Sequence, residues 1–101
     1  MVRHIVAWNY AEGFTEDENR KNVEVMKKEL ENLKNLIEGI VSIDVLTNPM
    51  DTSDSDILLD SVFENEEALK AYTVHPEHVR VGTNFVKPVT KNRKCVDFFL
   101  S

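Results

Sequence analysis

Val23, Met26, Leu30, Leu33 and Ile37 recur at steps of three and four, which on a helix gathers them into one apolar stripe away from Lys27, Lys28, Glu31 and Lys34. Thr15 and Glu18 stand before it at capping-box spacing, and Glu16 and Asp17 put negative charge at the positive end of the dipole. Gly39 supplies the stop. Such a helix must lay its stripe on an apolar surface, and the flanking segments read as strands. Residues 2–9 hold Val, Ile, Val and Trp in a short run, the pattern of a strand buried on both faces. Ile40–Thr47 and Asp56–Phe63 are further strands: Val41, Ile43 and Val45 alternate with Ser42 and Asp44, and Ile57, Leu59 and Phe63 with Leu58, Asp60 and Val62. Asn65 caps a short helix reaching Tyr72. His75 then caps a second one running from Pro76 to about Val86, with Val79, Gly82 and Val86 on one side. Pro88 ends it, and Lys94–Leu100 is the last strand.

The order strand, helix, strand, strand, broken helix, strand is two similar halves. It predicts an α+β, ferredoxin-like plan: a four-stranded antiparallel sheet with its helices on one face, in a single domain over residues 1–101. Neither set of alternate strand residues is purely polar, so the uncovered face keeps apolar surface. A patch of that kind is normally an interface, and a homodimer with two sheets face to face is expected. Asp44, Asp60 and Asp97 sit in mid-strand and need a wet rim or a donor, because an unpaired buried charge is costly.

Charge narrows the partners. The formal net charge of −6 supplies no positive stripe for a phosphate backbone, so nucleic acid is not expected, and the run Lys91–Lys94 reads as a solvated turn before a strand. No stretch approaches the ~20 apolar residues of a membrane span, and the apolar start is too short for a secretory signal. The lone Cys95 allows no internal disulfide and suits the cytoplasm; it also leaves zinc short of thiolates. Asp51, Asp54 and Asp56 lack the glycine and the closing glutamate of a calcium loop. His75 and His78 lack a third metal ligand, and no serine sits in a glycine-rich elbow.

The core explains the histidines least. Two of the three lie in His75-Pro76-Glu77-His78, and an imidazole can take or give a proton near neutral pH without large tuning. His4 shares a strand face with Val2, Val6 and Trp8, while Tyr72 ends one helix and His78 begins the next. A pocket between strand and kink would bring together His4, Tyr72 and His78 as candidate catalytic groups, with His75, Trp8 and Phe85 as further ligand contacts. Each has a plainer role open to it: His4 as a satisfied interior residue, His75 as a cap, Tyr72 and Phe85 as core aromatics.

Arg3-His4-Ile5-Val6, Phe63-Glu64 leading to Leu69-Lys70-Ala71-Tyr72, Val74-His75-Pro76-Glu77-His78-Val79 and Val96-Asp97-Phe98 resemble the stress-responsive A/B barrel domain over essentially the whole chain. The resemblance implies a dimeric α+β barrel, made when two ferredoxin-like protomers join their sheets. It also implies a chemistry. One plant member is a polyketide cyclase that closes an intramolecular aldol without a cofactor, through a strand His, the Tyr before the motif and the last His of the motif, roles that fall here on His4, Tyr72 and His78. Aldol closure needs a base, a donor for the enolate oxygen and a dry cavity. The same residues equally suit a binding cavity without turnover. The first expectation is therefore a homodimer whose internal pocket binds a small organic molecule. The alternative is a cofactor-independent cyclase or isomerase with His as general base. Some members hold a divalent cation on carbonyls at the end of the first helix, here near Lys34, Ile37 and Ile40; no resident metal or cofactor is expected in this chain.

Overall fold

Thr15 begins the first helix as its spacing predicts. In the computed structural model, which describes residues 1–101, its hydroxyl accepts the Glu18 amide at 3.2 Å and the Glu18 carboxylate accepts the Thr15 amide at 2.9 Å. Helix α1 runs over Glu16–Asn32 and tightens into a 3-10 turn at Leu33–Asn35. All five residues of the stripe, Val23 through Ile37, are buried. Gly39 follows with φ +90°, and a Cβ there would lie 2.6 Å from the Ala68 side chain. Glycine thus serves twice, for the left-handed turn and for close approach to the second helix.

The stripe lies on a four-stranded antiparallel sheet of β1 (Val2–Tyr10), β2 (Ile40–Leu46), β3 (Ile57–Phe63) and β4 (Thr90–Phe99), in the order β2-β3-β1-β4. Helices α2 (Glu66–Val74) and α3 (Pro76–Val81) complete the α+β, ferredoxin-like plan. Asn65 caps α2 through the Ala68 amide, and the His75 ring nitrogen accepts the Glu77 amide at 3.1 Å to start α3. No helix is long and apolar enough to cross a membrane.

Several expectations need correction. Strand β1 is not buried on both faces: Val2, His4, Val6 and Trp8 are buried, Ile5 and Ala7 only half so, because helices cover one side alone. A register shift between Ile40 and Ser42 sets Ile40 inside with Ile43 and Val45 and leaves Val41 exposed, breaking the simple alternation. Helix α3 stops at Val81, and a π turn at Gly82–Val86 and a 3-10 turn at Lys87–Val89 replace its second half. Val79 is consequently exposed. The buried pair is Val81 and Val86, five residues apart, as one π turn brings side chains into line. Strand β4 begins at Thr90 rather than Lys94, so the basic run is strand and not turn. Of the mid-strand aspartates, Asp60 pairs with Arg3 through two bonds of 2.9 and 3.1 Å, Asp97 meets His4, and Asp44 stays exposed. Asp56, at the end of the acidic loop, accepts the Tyr10 amide at 2.9 Å and so braces the strand start.

Candidate functional site

Strand β1 presents His4 on the helix side of the sheet, opposite Asp97 of β4 and Ser61 of β3. The Asp97 carboxylate can only accept, so the His4 Nδ1–H donates to it, at 2.5 Å, and Nε2 keeps the lone pair of the neutral ring. The Ser61 hydroxyl donates to the His4 carbonyl at 2.7 Å and steadies the backbone beneath the ring. Tyr72, in the last turn of α2, is almost wholly buried; its ring centroid lies 6.1 Å from that of His4 and 4.8 Å from that of Phe63. His78 in the first turn of α3 also lies against Tyr72, with centroids 4.2 Å apart. Its Nδ1–H donates to the Thr73 carbonyl at 3.2 Å, so its Nε2 is likewise the acceptor.

These groups open on a cavity of about 290 Å³ between sheet and helices. Its floor is largely apolar, from Val6, Trp8, Leu30, Leu59 and Val86, and Gly82 of the π turn lines it without a side chain. Burial lowers the His78 pKa below that of a free imidazole, against the smaller raising effect of its bond to Thr73. Burial also raises the Tyr72 phenol, which is a neutral donor across the working pH range. The arrangement thus offers two oriented imidazoles and one phenol beside a sheltered volume, groups suited to moving a proton on a small molecule or to hydrogen-bonding it.

Four of the six expected site residues, His4, Trp8, Tyr72 and His78, line this cavity. His75 does not: its ring is spent on capping α3. Phe85 does not either, and packs against the core from outside the lining. Two contributions escape the sequence. One is Asp97, visible only as a strand aspartate in want of a donor. The other is the basic edge of the cavity, where Lys87, Lys91 and Arg93 stand. The register shift between β1 and β4 sets Asn92 and Arg93 against Trp8 alone, between the pairs Ala7 with Lys94 and Asn9 with Lys91. Asn92 takes φ +56° to make that bulge.

His4 Nδ1, Cys95 Sγ and an Asp97 oxygen lie within 4.8 Å of one another, enough donor atoms for one metal ion. Here Nδ1 is already donating to Asp97, and burial and the Asp97 charge raise the Cys95 pKa, so the trio behaves as a hydrogen-bonded cluster. The turn after α1 is held by backbone hydrogen bonds. The Leu33 carbonyl accepts the Leu36 and Ile37 amides, the Gly39 carbonyl accepts the Glu64 amide, and Ile40 is paired in the sheet.

A family model described as Stress Responsive A/B Barrel Domain matches residues 2–100. A dimeric protein of unknown function and ferredoxin-like fold from Bacteroides fragilis is 30% identical, with a TM-score of 0.89 over 98% of this chain and 95% of that one. A protein from Arabidopsis thaliana is 23% identical, with a TM-score of 0.81 over 100% and 96% of the two chains. A hydroxynitrile lyase from Passiflora edulis shares the fold at 17% identity, with a TM-score of 0.80 over 99% and 93%. Among curated proteins none matches the sequence.

Proposed function

The chain belongs to the stress-responsive A/B barrel domain family, and we propose that it works as a homodimer whose protomers, each one domain of residues 1–101, bind a small organic molecule in the cavity at His4, Tyr72 and His78. The convergence of those three side chains, from β1, α2 and α3, on one largely apolar cavity carries the reading. Dimerisation rests on the outer sheet face, where Ile5, Leu58 and Val62 are only half-buried and Val96 and Phe98 are exposed, and on the dimeric Bacteroides relative. Two such sheets closing on each other form the barrel. The lone thiol of Cys95 suits a reducing cytoplasm.

The His4–Asp97 bond favours a second reading, cofactor-independent proton abstraction. An imidazole Nε2 takes the α-proton of a ketone, and the C–H electron pair becomes an enolate whose oxygen accepts from the Tyr72 hydroxyl. The enolate carbon then attacks a carbonyl of the same molecule, and the imidazolium returns its proton to the new alkoxide. Asp97 holds the tautomer and offsets the transient charge. The atoms balance without another reactant. A structure of the same fold is named a hydroxynitrile lyase, and it supports this reading at the level of the fold alone.

NMR titration of the histidine ring protons with a β-diketone tests binding, and α-deuterium uptake by a ketone in D₂O tests turnover. Binding moves the His4 and His78 resonances saturably, and His78→Ala weakens it. If neither histidine responds to any β-diketone, the cavity reading is wrong. Saturable binding without catalysed exchange leaves the binding reading and removes the enzymatic one.

A further inference from the structure

We propose that the cavity takes its ligand as an organic anion, an apolar skeleton seated on Trp8 and Leu59 and carrying a carboxylate held between Arg93 and Lys87. This rests on the reading of the cavity as a binding site for a small organic molecule and specifies its substrate class.

Charge distribution is the first support. The chain has 18 acidic residues against 12 lysines and arginines, yet the cavity lining holds three of those cations and no Asp or Glu. Local geometry is the second. In an unbroken ladder one residue of β4 would face Trp8; the bulge sets two there, with Asn92 in the left-handed region, and Arg93 comes to the cavity edge. Bulges of this kind re-aim a side chain at the expense of one ladder position. Pairing is the third. Lys91 is engaged by Glu12 at 3.0 Å, whereas neither Arg93 nor Lys87 forms an ion pair within the chain. A guanidinium without a carboxylate partner of its own matches one on a ligand through two parallel bonds.

Size and lining select the rest of the ligand. A cavity of about 290 Å³ has room for a compact organic skeleton. The apolar floor offers a bare inorganic anion nothing beyond the edge. An acid with a ring or branched chain would fill both parts, and its carbonyl or enol carbon would lie near Tyr72 and the imidazoles.

Trp8 is the sole tryptophan and lines the cavity, so its fluorescence reports occupancy. The matched probes are 3-phenylpropanoate, 3-phenylpropanamide and inorganic phosphate, each titrated into the full chain. The acid should bind at least about tenfold more tightly than the amide, a preference of the size one charge-assisted contact gives. Arg93→Gln should reduce the preference to near unity, Arg93→Lys should keep part of it, Lys87→Gln should weaken it, and phosphate alone should leave Trp8 unchanged. All these side chains are exposed, so the substitutions spare the core. Equal affinity for acid and amide overturns the anionic class while leaving the cavity reading intact. Phosphate competing as well as the acid overturns the organic class. Absence of binding by both organic probes overturns the inference, and the histidine titration with neutral diketones then decides separately whether the cavity admits any ligand.

Discussion

His4 and Asp97 stand 93 positions apart and meet only through the register of β1 on β4. Asp97 does for His4 what no neighbour in sequence could: it fixes which nitrogen carries the proton. Asp97→Asn keeps the shape but can offer an N–H to Nδ1. We expect ¹⁵N spectra to show His4 as the Nδ1–H tautomer in the native protein and a shift toward Nε2–H in the variant, with any catalysed α-proton exchange falling at least about tenfold. An unchanged tautomer would contradict the assignment. His78 gives a pH signature of its own. Burial holds its folded pKa below the ordinary value near 6.5, so below that pH the unfolded chain takes up the proton more readily than the folded one. Stability from this residue is therefore complete above about pH 6.5 and falls as the pH drops toward the folded pKa, below which the loss is constant. Urea unfolding between pH 8 and pH 5 should show that decline, and His78→Gln should flatten it; a variant with the native slope would contradict the assignment.

At the scale of elements, short-range signals were legible and long-range ones were not. The α1 stripe, its capping box and the Gly39 stop are local patterns, and each lies where its spacing places it. Gly39→Ala should destabilise by about 1–3 kcal/mol, from left-handed strain together with a Cβ contact of 2.6 Å on Ala68; chemical denaturation with unchanged stability would show that the turn relaxes freely. The second half of the helix pair departs from its sequence pattern because a helical stripe assumes a period of 3.6, whereas Val81 and Val86 align across a π turn. That turn lets Gly82 and Val86 wall the cavity. The start of β4 was hidden by its basic run, which looks solvated until the bulge beside Trp8 brings Arg93 to the cavity. His4, Tyr72 and His78 could be picked out by residue type and by the His-Pro-x-His motif. Asp97 could not, since cross-strand partners are invisible without the register.

The whole molecule divides its sheet between two tasks. One face meets the helices and walls the cavity; the other leaves Ile5, Leu58, Val62, Val96 and Phe98 in partial or full contact with water. Arg3 and Asp60 neutralise each other on that same face, so their charges need not keep a second sheet away. A chain of 101 residues has a modest core, and burying this face against a copy of itself would add apolar area where intramolecular packing adds none. Phe98 is 64% exposed and sits opposite Arg3, so a charge there opposes pairing without entering the core. Sedimentation equilibrium at low micromolar concentration tests the central claim most directly, with circular dichroism to confirm folding. The native chain should sediment at twice its own mass, and Phe98→Asp at its own mass with its secondary structure kept. A native chain that remains folded at its own mass would contradict the account.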